Sequence, residues 1–172
     1  MANKIWLISD THFNHKTMVE EKWRPFKTVE EMNETIIHNW NKKISKDDIV
    51  YHLGDVCIGK SVEVEKNIIP RLNGQITFIK GNHDKTSLTP ITNIIIMFKG
   101  KQYELVHNPS NATGKFKHII HGHQHLSGEN KFTKKPGFKY VNVNLEYSKF
   151  KPILINEVIT KFKWTGNVIL KK

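Results

Sequence analysis

The first half of the chain contains three short, mostly apolar runs. Residues 5–8, 49–53 and 76–79 each have the length and composition of a buried strand. A polar residue that could carry chemistry follows each run within a few positions. Because ligands of α/β sheets bind at the carboxyl ends of the strands, we expect these polar residues to meet at one edge.

Two segments between these runs have helical spacing. Residues 28–44 place an apolar side chain at every fourth position, behind Thr28 and Glu31, which form the sequence pattern of a capping box. Residues 61–72 have a weaker helical pattern, which we expect Pro70 to end early. The first half is therefore predicted to consist of strand–helix–strand units, with a loop before residue 28.

The second half is richer in predicted strands. Residues 93–99 and 101–107 flank Gly100 as in a hairpin. Further strands are expected at 118–121, 140–145 and 152–155, and a last helix at 156–163. A meander after strand–helix–strand units predicts one α/β domain over residues 1–172, a mixed sandwich with sheets in the middle and helices outside.

Length and composition favour a self-contained intracellular domain. A chain of 172 residues can bury a real core. The single cysteine, Cys57, excludes an internal disulfide framework and suits a reducing compartment. The sequence contains no apolar run of membrane-spanning length and no cleavable signal pattern at its start. We expect a cytoplasmic protein without membrane association.

The formal net charge is +11, from 27 basic and 16 acidic residues. Such a charge favours an anionic substrate or a polyanionic partner such as nucleic acid. A solvated lysine surface with no specific partner explains the same charge, since only two of the basic residues are arginine. Both interpretations stay open at this point.

Five short segments carry side chains that bind metals, and each lies just past a predicted strand. They are Asp10-Thr11-His12, Gly54-Asp55, Gly81-Asn82-His83-Asp84, His107, and Gly122-His123-Gln124-His125. Carboxylate, imidazole and amide donors without thiolates suit manganese, iron, zinc, cobalt or nickel rather than calcium. Asp55 could bridge two such ions, which would lower the pKa of a shared water and produce the hydroxide that attacks phosphorus. We therefore expect two divalent transition-metal ions, with manganese first.

Four residues beside these segments have predicted roles in the reaction itself. His83 follows Asn82 directly, so it would be held at the site as the general acid for the leaving group. Asp84 would orient the His83 ring and keep it protonated. His15 and Arg24 are the candidates for contact with the substrate, Arg24 as a clamp on its phosphate.

The ordered series of these motifs resembles the calcineurin-like metallophosphoesterases, over residues 5 to about 163. It is most similar to the small single-domain bacterial and phage phosphoesterases, also in Arg24-Pro25-Phe26 and Tyr51-His52-Leu53-Gly54-Asp55. The resemblance implies a four-layer αββα sandwich and a catalytic pair of His83 and Asp84. It also implies one metal held by Asp10, His12, Asp55 and His125, and a second held by Asp55, Asn82, His107 and His123.

Two departures from the phosphoprotein phosphatase branch narrow the expected activity. Asp84 stands where that branch has glutamate, and no arginine follows Asp55 within residues 56–60. We therefore expect a phosphodiesterase acting on a nucleotide-like or small phosphate ester. The alternatives are a nuclease on polymeric nucleic acid and a non-catalytic metal-binding interaction module; the presence of His83 counts against the module.

Overall fold

Two four-stranded sheets form the centre of the molecule. The structure is a computed structural model that describes residues 3–58, 61–85, 90–126 and 133–161. The strands of the first sheet are β1 (Ile5–Ile8), β2 (Ile49–His52), β3 (Gln75–Phe78) and β8 (Ile153–Leu154). Their order is β3-β2-β1-β8, with β1 parallel to β2, β2 parallel to β3, and β8 antiparallel to β1.

The second sheet has the order β4-β5-β6-β7. Its strands are β4 (Asn93–Phe98), β5 (Lys101–Val106), β6 (His118–His121) and β7 (Lys139–Asn142). The hairpin of β4 and β5 is confirmed, but the predicted meander is wrong, because β5, β6 and β7 run parallel. The connections 107–117 and 122–138 are long enough to return the chain to the starting edge. The carboxyl ends of β5, β6 and β7 consequently lie at one edge.

Three of the described helices pack against one face of the first sheet, and the last one contributes Ile155 and Val158 to the core between the sheets. The helices are α1 (Thr17–Glu20), α2 (Val29–Lys43), α3 (Ser61–Asn67) and α4 (Ile155–Lys161). The hydroxyl of Thr28 accepts a hydrogen bond from the Glu31 amide at the start of α2, as predicted. The helix expected at 61–72 ends at Asn67, and a 3-10 turn follows at Ile69–Arg71. Residues 162 and 163 of the last predicted helix lie outside the described residues.

The alternation of side chains along β1 separates two apolar cores. Trp6 and Ile8 face helix α2, where Met32, Ile36 and Trp40 are fully buried. Leu7 faces the other way, into a core between the sheets that includes Leu53, Ile79, Tyr103, Leu105 and Ile120. The predicted fold class, an α/β sandwich of two mixed sheets flanked by helices, is confirmed. None of the described helices is long and apolar enough to cross a membrane.

Truncation of Ile36 tests the core between α2 and the first sheet. Because Ile36 is fully buried, Ile36→Ala should lower the free energy of unfolding by about 3 kcal/mol. Ile95→Ala, at a partly exposed position on β4, is the matched control and should cost under about 1 kcal/mol. Urea unfolding of the metal-free proteins measures both, and equal losses would contradict this packing.

Candidate metal centre

Four of the motif residues have a backbone conformation that L-amino acids rarely adopt. The φ angles are 61° at Asp10, 50° at His12, 55° at Asp55 and 67° at His123. Hydrogen bonds between the first two loops hold this geometry, from the Asp10 amide to the Gly54 carbonyl (2.9 Å) and from the His12 amide to the Asp55 carbonyl (3.0 Å). Strained backbone of this kind clusters at functional sites. Here it turns side chains from separate strands towards one point.

Six of the predicted ligands converge in two groups of three. One group is Asp10, His12 and His125; the other is Asp55, His107 and His123. Within each group the ligand atoms all lie within 4.8 Å of one another. These six residues follow four strands, β1, β2, β5 and β6, and lie up to 115 positions apart in sequence. The edges of the two sheets therefore bring together side chains that are far apart along the chain.

Asp55 and Asn82 connect the groups. Asp55 Oδ2 lies 3.6 Å from His12 Nε2 and 3.3 Å from His107 Nε2, so one carboxylate faces both groups. The side-chain oxygen of Asn82 lies 2.9 Å from His107 Nε2 and 2.9 Å from His123 Nδ1. The structure thus places Asn82 with the second group, and the less regular motif around His107 delivers its residue to the same place.

The donor atoms fit divalent transition metals. His12 Nε2 is buried and has no hydrogen-bond partner among the described residues. Burial and the charge of Arg24 lower the pKa of His12 well below its usual range, which favours the neutral imidazole that binds metals. Although burial opposes it, the hydrogen bond to Asp55 and the Asp10 charge raise the pKa of His107 to about 9. In the metal-free protein a proton on His107 thus partly offsets the carboxylates, and a cation would replace it.

Glu146 is a site residue that the sequence analysis missed. Its carboxylate accepts hydrogen bonds from His125 Nδ1 (2.8 Å), Arg24 Nε (3.1 Å) and the Leu126 amide (3.0 Å). Despite burial, the His125 hydrogen bond and the Arg24 charge lower the pKa of Glu146 to about 2. Because Nδ1 of His125 is paired with the Glu146 carboxylate, its Nε2 faces the other ligands of the first group. This nitrogen lies 3.5 Å from Asp10 Oδ1.

Arg24 was predicted to contact the substrate, but in the structure it supports the loops beneath the site. Its side chain is buried, and its guanidinium donates to the carbonyls of Asp10 (2.6 Å) and Thr11 (2.9 Å) as well as to Glu146. All its nitrogens have protein acceptors, so it does not serve as the predicted phosphate clamp. It instead braces the loop that carries the first two motif residues.

Asp84 also differs from its predicted role. Its carboxylate accepts from the backbone amides of Asp55 (2.8 Å), Val56 (2.8 Å) and Gly81 (2.8 Å), and more distantly from Cys57 (3.4 Å). Burial raises the pKa of Asp84, while these donors oppose the shift. Its oxygens are thus used to join the second and third motif loops, rather than to orient the imidazole of His83.

His83 and His15 line an open cleft of about 300 Å³ over the two groups. The His83 ring lies 5.5 Å from that of His12 and 6.2 Å from that of His15, between centroids. The His83 amide donates to Asp55 Oδ1 (2.9 Å), which fixes the backbone at the cleft while the side chain stays exposed. His15 Nδ1 lies 3.2 Å from His12 Nδ1. Both side chains line the cleft, and their contact with a substrate stays a prediction.

Comparison with known proteins shows what this chain is similar to. Residues 4–143 match the family model of the calcineurin-like phosphoesterase superfamily domain. An uncharacterized protein of Methanocaldococcus jannaschii is 41% identical over 170 residues, which cover 96% of this chain and 94% of that protein. The gene 66 protein of Mycobacterium phage L5 is 34% identical over 85 residues, 46% of this chain and 39% of that protein.

Among solved structures, a protein of unknown function from Aquifex aeolicus has a similar fold. Its TM-score is 0.75 at 26% sequence identity, over 93% of this chain and 100% of that chain. The two-sheet architecture therefore also occurs in an experimental structure of matching length.

Substitution of Asp84 separates its structural role from the predicted catalytic one. Asp84→Asn should lower the free energy of unfolding by about 2–4 kcal/mol with and without metal, because an amide nitrogen replaces one acceptor of buried N–H groups. His83→Ala, the neighbouring control at an exposed side chain, should cost under about 1 kcal/mol. Thermal unfolding measures both. An unchanged stability of Asp84→Asn would show that Asp84 does not join the loops.

Gly122 tests the close approach of the last motif to the first. A β-carbon at Gly122 would overlap the hydroxyl of Ser9 and lie 2.5 Å from Asp10 Oδ2. Gly122→Ala should therefore reduce metal affinity at least about tenfold by displacing Asp10. Gly100→Ala has open space around the new methyl group and should bind metal normally. Calorimetric titration with Mn²⁺ compares them, and equal affinities would refute the tight packing at Gly122.

Proposed function

The chain belongs to the calcineurin-like phosphoesterase superfamily, and on that premise we propose that it is a phosphodiesterase that uses two divalent transition-metal ions. The observation that carries this proposal is the pair of ligand groups that share the Asp55 carboxylate. One such group alone would suit a single structural ion. Two groups side by side suit phosphoester cleavage, where two cations act on one phosphate.

The proposed ligand sets follow the two groups. Asp10, His12 and His125 would hold one ion, His107, His123 and Asn82 the other, and Asp55 would contact both. When bound, two cations supply an activated water and neutralise charge on the phosphoryl oxygens. Manganese is the metal we propose first; nickel, zinc, iron and cobalt suit the same nitrogen and oxygen donors.

His83 is proposed to donate the proton to the departing ester oxygen. It belongs to neither ligand group, its side chain is exposed to the cleft, and its backbone is tied to Asp55. The side chain can therefore reach a substrate phosphate without leaving a ligand site vacant. His15 lines the same cleft, and its proposed role is to contact that phosphate or to hold a water beside it.

The charge of the cleft favours diesters. Among the described residues, neither a lysine nor an arginine lines the cleft. The Arg24 guanidinium is hydrogen-bonded to Glu146 and to the Asp10 carbonyl beneath the site. Arg71 forms an ion pair with Glu34 on the surface (2.6 Å). A dianionic monoester gains more than a monoanionic diester from added positive charge. A site that relies on metal ions alone for this charge is better matched to a diester.

A nuclease acting on polymers is the second candidate, and the net charge of +11 favours it. Binding through many phosphates would weaken steeply as salt rises. Cleavage of a small diester at one site should change little between about 50 and 200 mM salt, the range over which multi-phosphate contacts lose most of their affinity. Comparing KM for an oligonucleotide and for a dinucleotide across this range distinguishes the two.

Hydrolysis of bis-p-nitrophenyl phosphate beside p-nitrophenyl phosphate tests the activity. With Mn²⁺ the wild type should cleave both, the diester with the higher kcat/KM, and a chelator should abolish turnover. His83→Ala should lower kcat about 10²–10⁴-fold, and His38→Ala, on the exposed side of α2, should leave it unchanged. Absence of turnover from protein shown to carry two metal ions would instead favour the non-catalytic module.

A further inference from the structure

One wall of the cleft is apolar. Trp23, Met18 and Ile58 line the same space as His83 and Asp55. Met18 is buried, whereas the Trp23 side chain has 53% of its surface exposed. We call these three residues the apolar shelf. A half-exposed tryptophan beside two aliphatic side chains and a catalytic histidine offers a flat face to a ligand.

Hydrogen bonds of the next residue, Arg24, hold the backbone beside Trp23 in place. The Arg24 amide donates to the Met18 carbonyl (2.9 Å), and the Arg24 guanidinium donates to the carbonyls of Asp10 and Thr11. The Phe26 amide donates back to the Arg24 carbonyl (2.9 Å). The segment that carries Trp23 is therefore tied to the same loop that carries the metal ligands.

A second groove lies beside the site, and its lining is polar where that of the cleft includes an apolar part. It has a volume of about 530 Å³ and shares Asn82 and its neighbour Gly81 with the site. Its lining is mostly polar and, in the described residues, includes no tryptophan, tyrosine or phenylalanine: Lys80, Thr92, Asn93, Asn108, Asn111 and Thr113, with Val106 and His107. Among the described residues that line the two grooves, Trp23 alone presents an indole, phenol or phenyl face to an aromatic substituent of a bound ester.

Resting on the proposed function, we infer that Trp23 selects phosphodiesters in which one substituent carries a planar aromatic group of nucleobase size, which stacks on the indole. Stacking of a base on an aromatic side chain contributes about 1–3 kcal/mol and tolerates any base, because every base has a π-face. Met18 and Ile58, the other two shelf residues, carry no side-chain N–H or O–H group that could read a base edge. The inference therefore names a nucleoside-type ester without a preferred base.

Two methyl phosphodiesters, one with a base and one without, test this inference. The substrates are the methyl esters of AMP and of ribose 5-phosphate, assayed with Mn²⁺ by chromatography of the products. Wild type should have about tenfold higher kcat/KM for the AMP ester. Trp23→Ala should lose this preference and leave the ribose ester within about twofold, whereas Trp23→Phe should retain most of it. Met97→Ala, at an exposed apolar position on β4, is the control and should match wild type.

Binding gives a readout that does not require turnover. Calorimetry with AMP and with ribose 5-phosphate, in the presence of Mn²⁺, should show the same base-dependent difference and its loss in Trp23→Ala. No base preference in wild type, or an equal loss for both ligands in Trp23→Ala, would overturn the inference. Base-dependent binding without hydrolysis of any ester would reject the phosphodiesterase and keep the stacking site.

Discussion

The hydrogen bonds that Asp84 accepts from two loops are the constraint on which the candidate site depends. The amides of Asp55 and Gly81 both donate to one of its oxygens at 2.8 Å. This contact sets the distance between the loop after β2 and the loop after β3, and hence between Asp55 and Asn82. Because Asp55 faces both ligand groups, an error in that distance would misplace both proposed metal ions. A buried carboxylate with several backbone donors is difficult to replace by another residue.

Much of the fold and of the ligand set follows from the sequence, because both depend on local patterns. Strands β1, β2 and β6 and helix α2 lie within one residue of their predicted bounds. The predicted ligands follow strand ends, and a parallel sheet brings such ends together without further information. The prediction of a meander was wrong about the direction of the strands, but His107 and His123 still lie at the carboxyl ends of β5 and β6.

The supporting residues could not be predicted in the same way. Arg24 and Glu146 are 122 residues apart and meet under the site. Glu146 lies in a 3-10 turn, Leu145–Ser148, in a region where the sequence predicted a strand through residue 145. Asp84 belongs to a recognisable motif, yet its role depends on backbone amides 27 to 29 residues away. Such partners are set by tertiary structure, and no spacing in the chain indicates them.

The number and place of bound metal ions test the central claim most directly. A crystal grown with Mn²⁺ and measured near the manganese absorption edge should show two anomalous peaks, roughly 3.5–4 Å apart, on either side of the Asp55 carboxylate. Metal analysis of the same protein should give about two ions per chain, and Asp55→Asn should reduce this number. A single peak at saturating Mn²⁺, or two peaks that do not share Asp55, would contradict the account.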